Sequence, residues 1–539
     1  MKKFNKSMAI ASITVLAISF MTGCGSGLTP LHSGVRDTLE NNAPSEMKTT
    51  TAADIGTTTL AAITTTTADT ETSAAIAATT VTTTATTVTA AAETNTVTAS
   101  VVTTASAAPD TVTALLPPVS PTYQNQFDRW AKDFQTDNPN LILRLNKVSW
   151  EDMPGLLTAQ IQAGTTPDIA FIGSGGVPKY LSAGLLTEIS KRMTSDMISD
   201  YDVSVLAYFK NSNGLYGLPA YMNVQSIGGD KAKLEAAGVD WKSVQQNGWT
   251  YDQFRQAIIN GTVMSGGNVS YGFVFACSGV TAIDYFSIFS KCAGMPSPFT
   301  TDLKYAYTDK NTLKLLTDMK QMIDDGSMPD NLNAIDSNTR WNMFLTGQAM
   351  ITGKGLAIFE SLADQNSTKL NANDGSAAAG SVNTDYIVLP VPTFFGCPQQ
   401  AQAAVDGYVC MTGNPAGADE HISNTVKAMY YLDSGERAAY TDAELYCDPI
   451  CQSAAAVFRE PAGKSKDNTN AIKLLMAQAA APRPDIPADL GAKADMVMED
   501  TIIPQLQSML AGNASPEQVY DAIVTAAAAA FGADGIVRN

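Results

Sequence analysis

Hydrophobic and polar positions along this chain follow two periods, and the periods take turns. "LILRLNKV" (Leu141 to Val148) alternates apolar and polar residues, as a strand with one buried face does. "GLLTAQIQAG" then places Leu156, Leu157, Gln160 and Ile161 at helical intervals and stops at Gly164. "PDIAFIG" (Pro167 to Gly173) is a short apolar run, the mark of a buried strand. "TYDQFRQAIING" predicts a helix with Thr250 as N-cap, Gln253 at N3 and Gly261 past the last turn. "DKNTLKLLTDMKQMIDDG" sets Leu313, Leu316, Met319 and Ile323 on one helical face and ends at Gly326. "DYIVLPVP" is another apolar strand, closed by prolines, and "SPEQVYDAIVTAAAAAFG" opens a helix with Ser515 as cap, Pro516 and Gln518. Strands alternating with helices of this length predict an α/β fold with mostly parallel sheets.

The N-terminus carries a different pattern. Lys2, Lys3 and Lys6 form a basic head, and Met8 to Phe20 an apolar run of signal-peptide length. That run is shorter than the roughly 20 residues a bilayer span requires. Met21-Thr22-Gly23-Cys24 resembles a bacterial lipobox, with Met21 where Leu is usual. The resemblance implies a signal peptide over 1–23 and lipidation of Cys24, which would anchor the chain to a membrane facing the outside. Residues 24–110 are rich in Thr and Ala, as in "TTVTTTATTVTAAAET", without a trustworthy period. Such a tract lacks the apolar bulk to offset its ordering entropy and reads as a disordered tether, open to O-glycosylation where the host does that.

Residues 111–539 have ordinary globular composition, and a body of that size is expected to split into two lobes. A net charge of -18 argues against nucleic acid as a partner, because phosphates call for Lys and Arg clusters. Beyond Cys24 the cysteines are Cys277, Cys292, Cys397, Cys410, Cys447 and Cys451, an even number that permits disulfides in an exported protein. Cys447 with Cys451, and Cys277 with Cys292, are the spacing candidates, although spacing leaves the connectivity open. A zinc site lacks support: the cysteines form no paired cluster, and the two histidines, His32 and His421, stand far apart. No Gly-x-Ser-x-Gly elbow or His-Glu-x-x-His helix is present.

Several segments together resemble the extracellular solute-binding proteins of ABC importers, the family of maltose- and multiple-sugar-binding proteins. "FQTDNPNLILRL" resembles the family's opening helix end, Asn-Pro turn and strand. "LLTAQIQAGTTPDIAFIG" resembles its helix, Ala-x-Gly-x-x-Pro-Asp turn and apolar strand, carried here by Ala163, Gly164, Pro167 and Asp168 with Gly directly after Ala. "YLSAGLLTEIS", "NGLYGLPAYMN", "FLTGQAMITGKG" and "VDGYVCMTGN" resemble the later turn, the inter-lobe crossing strand, the Phe-x-x-Gly strand and the strand that re-enters a lobe. The chain departs from the pattern where Gly228-Gly229 follow the crossing strand, and where Gly355-Leu356 stand in place of an aromatic.

The resemblance implies a two-lobed periplasmic-binding-protein-like fold of type II with crossing hinge strands. The first lobe is expected over about 111–221 and 331–395, the second over about 222–330 and 396–539. It implies a monomeric, non-catalytic, cofactor-free subunit that captures a small solute, a mono- or oligosaccharide above others, and delivers it to membrane permease subunits. A hinged cleft at the carboxyl ends of the sheets suits that task. Sugars present flat apolar faces and many hydroxyls, so aromatic, amide, carboxylate and hydroxyl side chains are the candidate contacts. They are Trp150 after a strand, Ser174 in the Gly-rich loop, Tyr221 and Asn223 on the crossing, Phe275 and Ser278, Lys354 in "TGKG", and Asp406 and Tyr408. Each also has a plain structural reading. Trp130, Trp241, Trp249 and Trp341 are read as structural, and Asp168 as a hydrogen-bonded partner at a strand start. Three alternatives stand beside the sugar reading: a peptide or polyamine binder on the same fold, a glycoside hydrolase with a carboxylate pair, and a surface adhesin.

Overall fold

The computed structural model describes residues 108–412 and 419–538, all within the compact unit Ala107–Asn539. The signal segment, Cys24 and the Thr/Ala tether up to residue 107 lie outside the described residues.

The described residues form eleven strands. They are β1 (Asp110–Leu116), β2 (Leu141–Lys147), β3 (Ile169–Gly173), β4 (Lys210–Asn211), β5 (Gly214–Leu215), β6 (Gly217–Asp230), β7 (Val263–Ser265), β8 (Asn268–Phe275), β9 (Ala349–Gly355), β10 (Tyr386–Leu389) and β11 (Gln402–Cys410). The main sheet runs β2-β1-β3-β11-β6-β9-β8-β7, with β10 also on β6, while β4 and β5 form a separate pair. Parallel pairs build the body of each lobe: β1 on β2 and β3, and β8 on β9. Antiparallel pairs gather at the crossing and at the β7–β8 hairpin. Strand β6 is the bridge. Its first part pairs with β11 from Gly217 to Gln225, and its last part pairs with β9 and β10 from Ser226 to Asp230.

Two large apolar cores follow from this topology. One gathers residues between Val112 and Tyr221 with Val405 to Ala454. The other gathers residues between Ile227 and Phe394 with Ala494 to Ile536. The expected exchange between lobes is therefore corrected: Leu332, Ile335, Ile351 and Leu389 belong to the second core, and Tyr408, Val426 and Leu445 to the first. The reason is pairing. β9 lies parallel to β8 in the second lobe, whereas β11 lies against β3 in the first. A small third cluster, with Val224, Phe344, Tyr386 and Val388, packs under the crossing.

The local signals explain the elements. Both capping boxes form: Thr250 with Gln253, and Ser515 with Gln518. The helix Lys310–Asp324 buries Thr312, Leu315, Leu316, Met319 and Met322, so its core stripe is rotated from the expected one and Leu313 and Ile323 fall on its flanks. Gly228 and Gly229 do not end the crossing strand. Side chains at these positions would run into the Tyr386 ring and Leu234, so the glycines let β6 continue to Asp230 beneath them. The six described cysteines are free, so neither spacing candidate forms a disulfide; Cys447 instead accepts from Asn223, and Cys451 donates to the Asp433 carbonyl.

Candidate functional site

The carboxyl end of β3 starts the site. Gly173 ends the strand, Ser174–Gly176 make a single tight turn, and the helix Val177–Ser182 follows. Asp406 on β11 is the register partner of Gly173 on one side and Tyr221 on the other. A Cβ on Gly173 would lie 3.1 Å from Asp406 Oδ1, so the glycine leaves that carboxylate its place. The register shifts between Asp406 and Gly407, a bulge that re-aims the strand at this point. The Tyr221 hydroxyl donates to Asp406 Oδ2. Burial pushes the Asp406 carboxyl above the ordinary carboxylate range, against the Tyr221 hydrogen bond and the charge of Lys354, while Asp284 adds to the rise. Burial, the Asp406 charge and their shared hydrogen bond push the Tyr221 phenol far up.

The second lobe supplies the opposing charges. Asp284 sits in the first turn of the helix Ala282–Cys292. Its Oδ2 accepts from Lys354 Nζ at 3.1 Å, and its Oδ1 accepts from Gln225 Nε2 of the crossing strand at 3.3 Å. Arg340 holds the Lys354 loop from below: its Nη1 donates to Thr352 Oγ1 at 2.7 Å and to the Lys354 carbonyl at 3.3 Å. Burial lowers the Arg340 guanidinium to about 10, opposed by Tyr386 and Asp284. A carboxylate, a phenol, an ammonium, an amide and a second carboxylate thus converge from both lobes along the middle of the crossing strand, where its pairing passes from β11 to β9. Such a set suits a polar ligand with several hydroxyls.

Trp150 stands at the rim. It is 40% exposed, its Nε1 donates to the Pro118 carbonyl at 3.1 Å, and its ring meets Phe171 edge-on at 6.0 Å. A depression of about 890 Å³ lined by Pro118, Gln124, Lys147, Ser149 and Leu156 opens on this side of the first lobe.

The sequence candidates divide on this geometry. Tyr221, Asp406 and Lys354 come together, and Ser174 sits half-buried beside Gly173. Asn223 is buried and spent on Cys447, at 3.3 Å. Phe275 is corrected to a core residue: it is 1% exposed, stacks on Tyr285 at 4.8 Å, and fills the space a side chain at Gly353 would need. Tyr408 is likewise interior, hydrogen-bonded to the Tyr123 hydroxyl at 2.6 Å. Ser278 lies in a second-lobe loop tied by its N–H to the Ile335 carbonyl at 3.0 Å. Asp168 accepts from the Thr113 N–H and hydroxyl at 2.8 Å and pairs with His421, which is structural work. Sequence reasoning missed Gln225, Asp284 and Arg340. Gln225 was within reach, since it shares a strand face with Tyr221 and Asn223 by period two; Asp284 carried no signal beyond an acid in a first helical turn. Among the described residues no group of three or more His, Cys, Asp or Glu side chains could hold a metal ion.

Residues 119–405 match the family described as bacterial extracellular solute-binding proteins. A protein of Brucella abortus (strain 2308), named as a binding protein, is 22% identical over 43% of this chain, and the chain spans 55% of its length. Among solved structures, the GacH receptor of Streptomyces glaucescens, determined unliganded and with acarbose, superposes with a TM-score of 0.59 at 15% identity, covering 78% of this chain and 98% of its own. Maltose-bound MalE3 of T. maritima gives 0.61 at 15% identity, covering 77% and 98%. An ABC transporter solute-binding protein of Thermotoga lettingae bound with α-D-tagatose gives 0.60 at 19% identity, covering 78% and 98%.

Proposed function

This chain belongs to the bacterial extracellular solute-binding proteins, and from that premise we propose that it captures a mono- or oligosaccharide between its lobes and delivers it to the membrane permease of an ABC importer. The carrying observation is the convergence of Tyr221 and Asp406 from the first lobe, Gln225 from the crossing and Asp284 and Lys354 from the second. Hydroxyl groups of a sugar can donate to the two carboxylates and accept from the ammonium and amide, and the exposed Trp150 ring offers a rim surface for an apolar sugar face. Acarbose, maltose and tagatose bound to proteins of the same fold support the carbohydrate class. Lys354, paired with Asp284 and acting electrostatically on Asp406, works against a polyamine, whose charges would meet a resident ammonium. In this reading Cys24 is the lipid anchor and the Thr/Ala segment the tether that keeps the lobes near the permease.

A thermal-shift series on the purified full chain with maltotriose, monosaccharides, peptides and polyamines tests the reading. A ligand that binds only the folded state raises the melting temperature by mass action. The expected result is a saturable rise with a sugar, with the sugar recovered unchanged and the rise lost in Asp406→Asn. Rises with peptides or polyamines alone would overturn the carbohydrate class, and consumption of the sugar would replace capture by hydrolysis.

A further inference from the structure

The two lobes touch at a second place, away from the crossing strand. The helix Val177–Ser182 begins one tight turn beyond the carboxyl end of β3, on the rim of the site, and Val177 roots it in the first core. The helix Ala488–Val497 runs into one wider π turn, Met498–Ile502, and Ala494, Val497 and Met498 root it in the second core. Lys179 Nζ reaches both oxygens of Glu499, at 2.9 and 3.0 Å. Pro178 lies on Gly491: a Cβ there would stand 2.6 Å from Pro178 Cβ. Tyr180 is drawn into the same contact, where burial and the Glu499 charge push its phenol up to about 12.

Gly491 is the informative residue. It sits inside a helix, where glycine is a poor former beside alanine. No neighbour in its own lobe crowds its missing Cβ; the atoms that do are Cβ and Cγ of Pro178, on the opposite lobe. The glycine is therefore explained by the approach of the lobes rather than by the packing of its own.

We propose that Pro178 on Gly491 and Lys179 on Glu499 form a clasp that holds the rim of the two lobes together, and that these residues set how tightly a captured solute is retained. The use of the clasp rests on the solute-capture reading; its geometry does not. Apparent affinity falls with the fraction of molecules in the binding-competent arrangement, so a contact made only when the lobes are together strengthens retention without touching the solute. The ion pair is partly exposed, with side chains 39% and 31% accessible, so its share is modest and the glycine–proline seat carries more.

A zero-length carbodiimide cross-link on the solute-free full chain, mapped by mass spectrometry, tests the clasp directly. Wild type should yield a peptide joining Lys179 to Glu499, and Lys179→Arg, which keeps the charge and lacks the reactive amine, should lose it. Gly491→Ala should keep its fold by circular dichroism and lower the cross-link yield about fivefold or more, because the added methyl meets Pro178. Absence of the link in wild type, or an undiminished yield in Gly491→Ala, would overturn the clasp. With maltotriose as the probe, Glu499→Gln should weaken binding about twofold to fivefold, and the swap Lys179→Glu with Glu499→Lys should restore it; unchanged affinity in Glu499→Gln would overturn the retention role. A cross-link that forms in a protein indifferent to maltotriose and to other sugars would uphold the clasp and remove the sugar reading.

Discussion

Phe171 and Phe275 each lie at the centre of an aromatic cluster, one in each lobe, and the two clusters end differently. Around Phe171 stand Tyr408 at 5.1 Å, Trp150 at 6.0 Å and Tyr221 at 6.4 Å. Around Phe275 stand Tyr285 at 4.8 Å, Phe273 at 6.2 Å and Phe289 at 6.4 Å. The second cluster is closed on every side by other apolar residues. The first runs out to an exposed indole and to a phenol bonded to a carboxylate. Aromatic residues near strand ends are therefore a poor guide to a ligand by themselves. What separates the site from the core is a polar group at the end of the aromatic chain, the buried Tyr221 phenol, held by the half-buried Asp406 of another strand.

Truncation in the sealed cluster should have the largest effect on the fold. Phe275→Ala is expected to cost about 3–5 kcal/mol of stability by urea denaturation, from lost transfer energy and the cavity left under Gly353. A loss below about 1 kcal/mol would show that this cluster is no more closed than the other. At the open end the cost should move from stability to binding. Asp406→Asn keeps the shape and removes the charge, and should weaken sugar binding about tenfold to a hundredfold by isothermal titration, the range for hydrogen bonds to a charged group. Equal affinity in the variant would put the ligand elsewhere. Trp150→Ala, at the exposed tip, should weaken binding about threefold to tenfold, the worth of an aromatic contact, and leave the melting temperature nearly unchanged. A large fall in melting temperature would make Trp150 a core residue after all.

The smallest expected effect is pH-dependent and sharpens the first lobe alone. His421 Nδ1 meets Asp110 at 2.8 Å and Nε2 meets Asp168 at 3.0 Å, tying the start of β1 to the start of β3. Burial alone would lower the His421 imidazole, but its hydrogen bonds to Asp168 and Asp110, with their charges, outweigh it and raise the pKa above the ordinary 6.5. A raised pKa contributes stability that is complete below 6.5 and is lost as pH rises through the folded value. Asp110 is shifted the other way: burial raises it, and Asn424 and His421 overcome that and bring it down. Its contribution is present above the ordinary carboxylate range and is lost as pH falls through the lowered value. The clip is thus strongest between the two ranges. Wild type should exceed His421→Gln by about 0.5–1 kcal/mol near pH 5.5, and the gap should shrink by pH 8. A gap that stays constant with pH would dissolve the clip into ordinary packing.

Much of the fold was legible because its signals are local. The capping boxes at Thr250 and Ser515, the alternation in Leu141–Lys147 and the apolar run Ile169–Gly173 each depend on residues a few positions apart. The lobe exchange was less legible. Gly228-Gly229 reads as a break until Tyr386 is placed over it, and whether β9 joins one lobe or the other depends on pairing with β8. The site was legible in part. Tyr221, Lys354 and Asp406 carry polar groups on strands that the family resemblance brings to the crossing. Phe275 and Tyr408 were legible only as residue types, and burial assigned them to the cores.

By itself the sequence determined the periods, the caps, the alternation of strand and helix and the family pattern, because these are written in neighbours along the chain. The tertiary structure decided the rest. Tyr221 and Asp406 are 185 positions apart, and only the β6–β11 ladder makes them neighbours. Asp284 receives Gln225 and Lys354 because a helix of one lobe faces the crossing strand of both. Gly491 is a weak point of a helix until Pro178 arrives from the other lobe. Register and lobe pairing are cooperative outcomes of burying two cores at once, and no short window of sequence contains them.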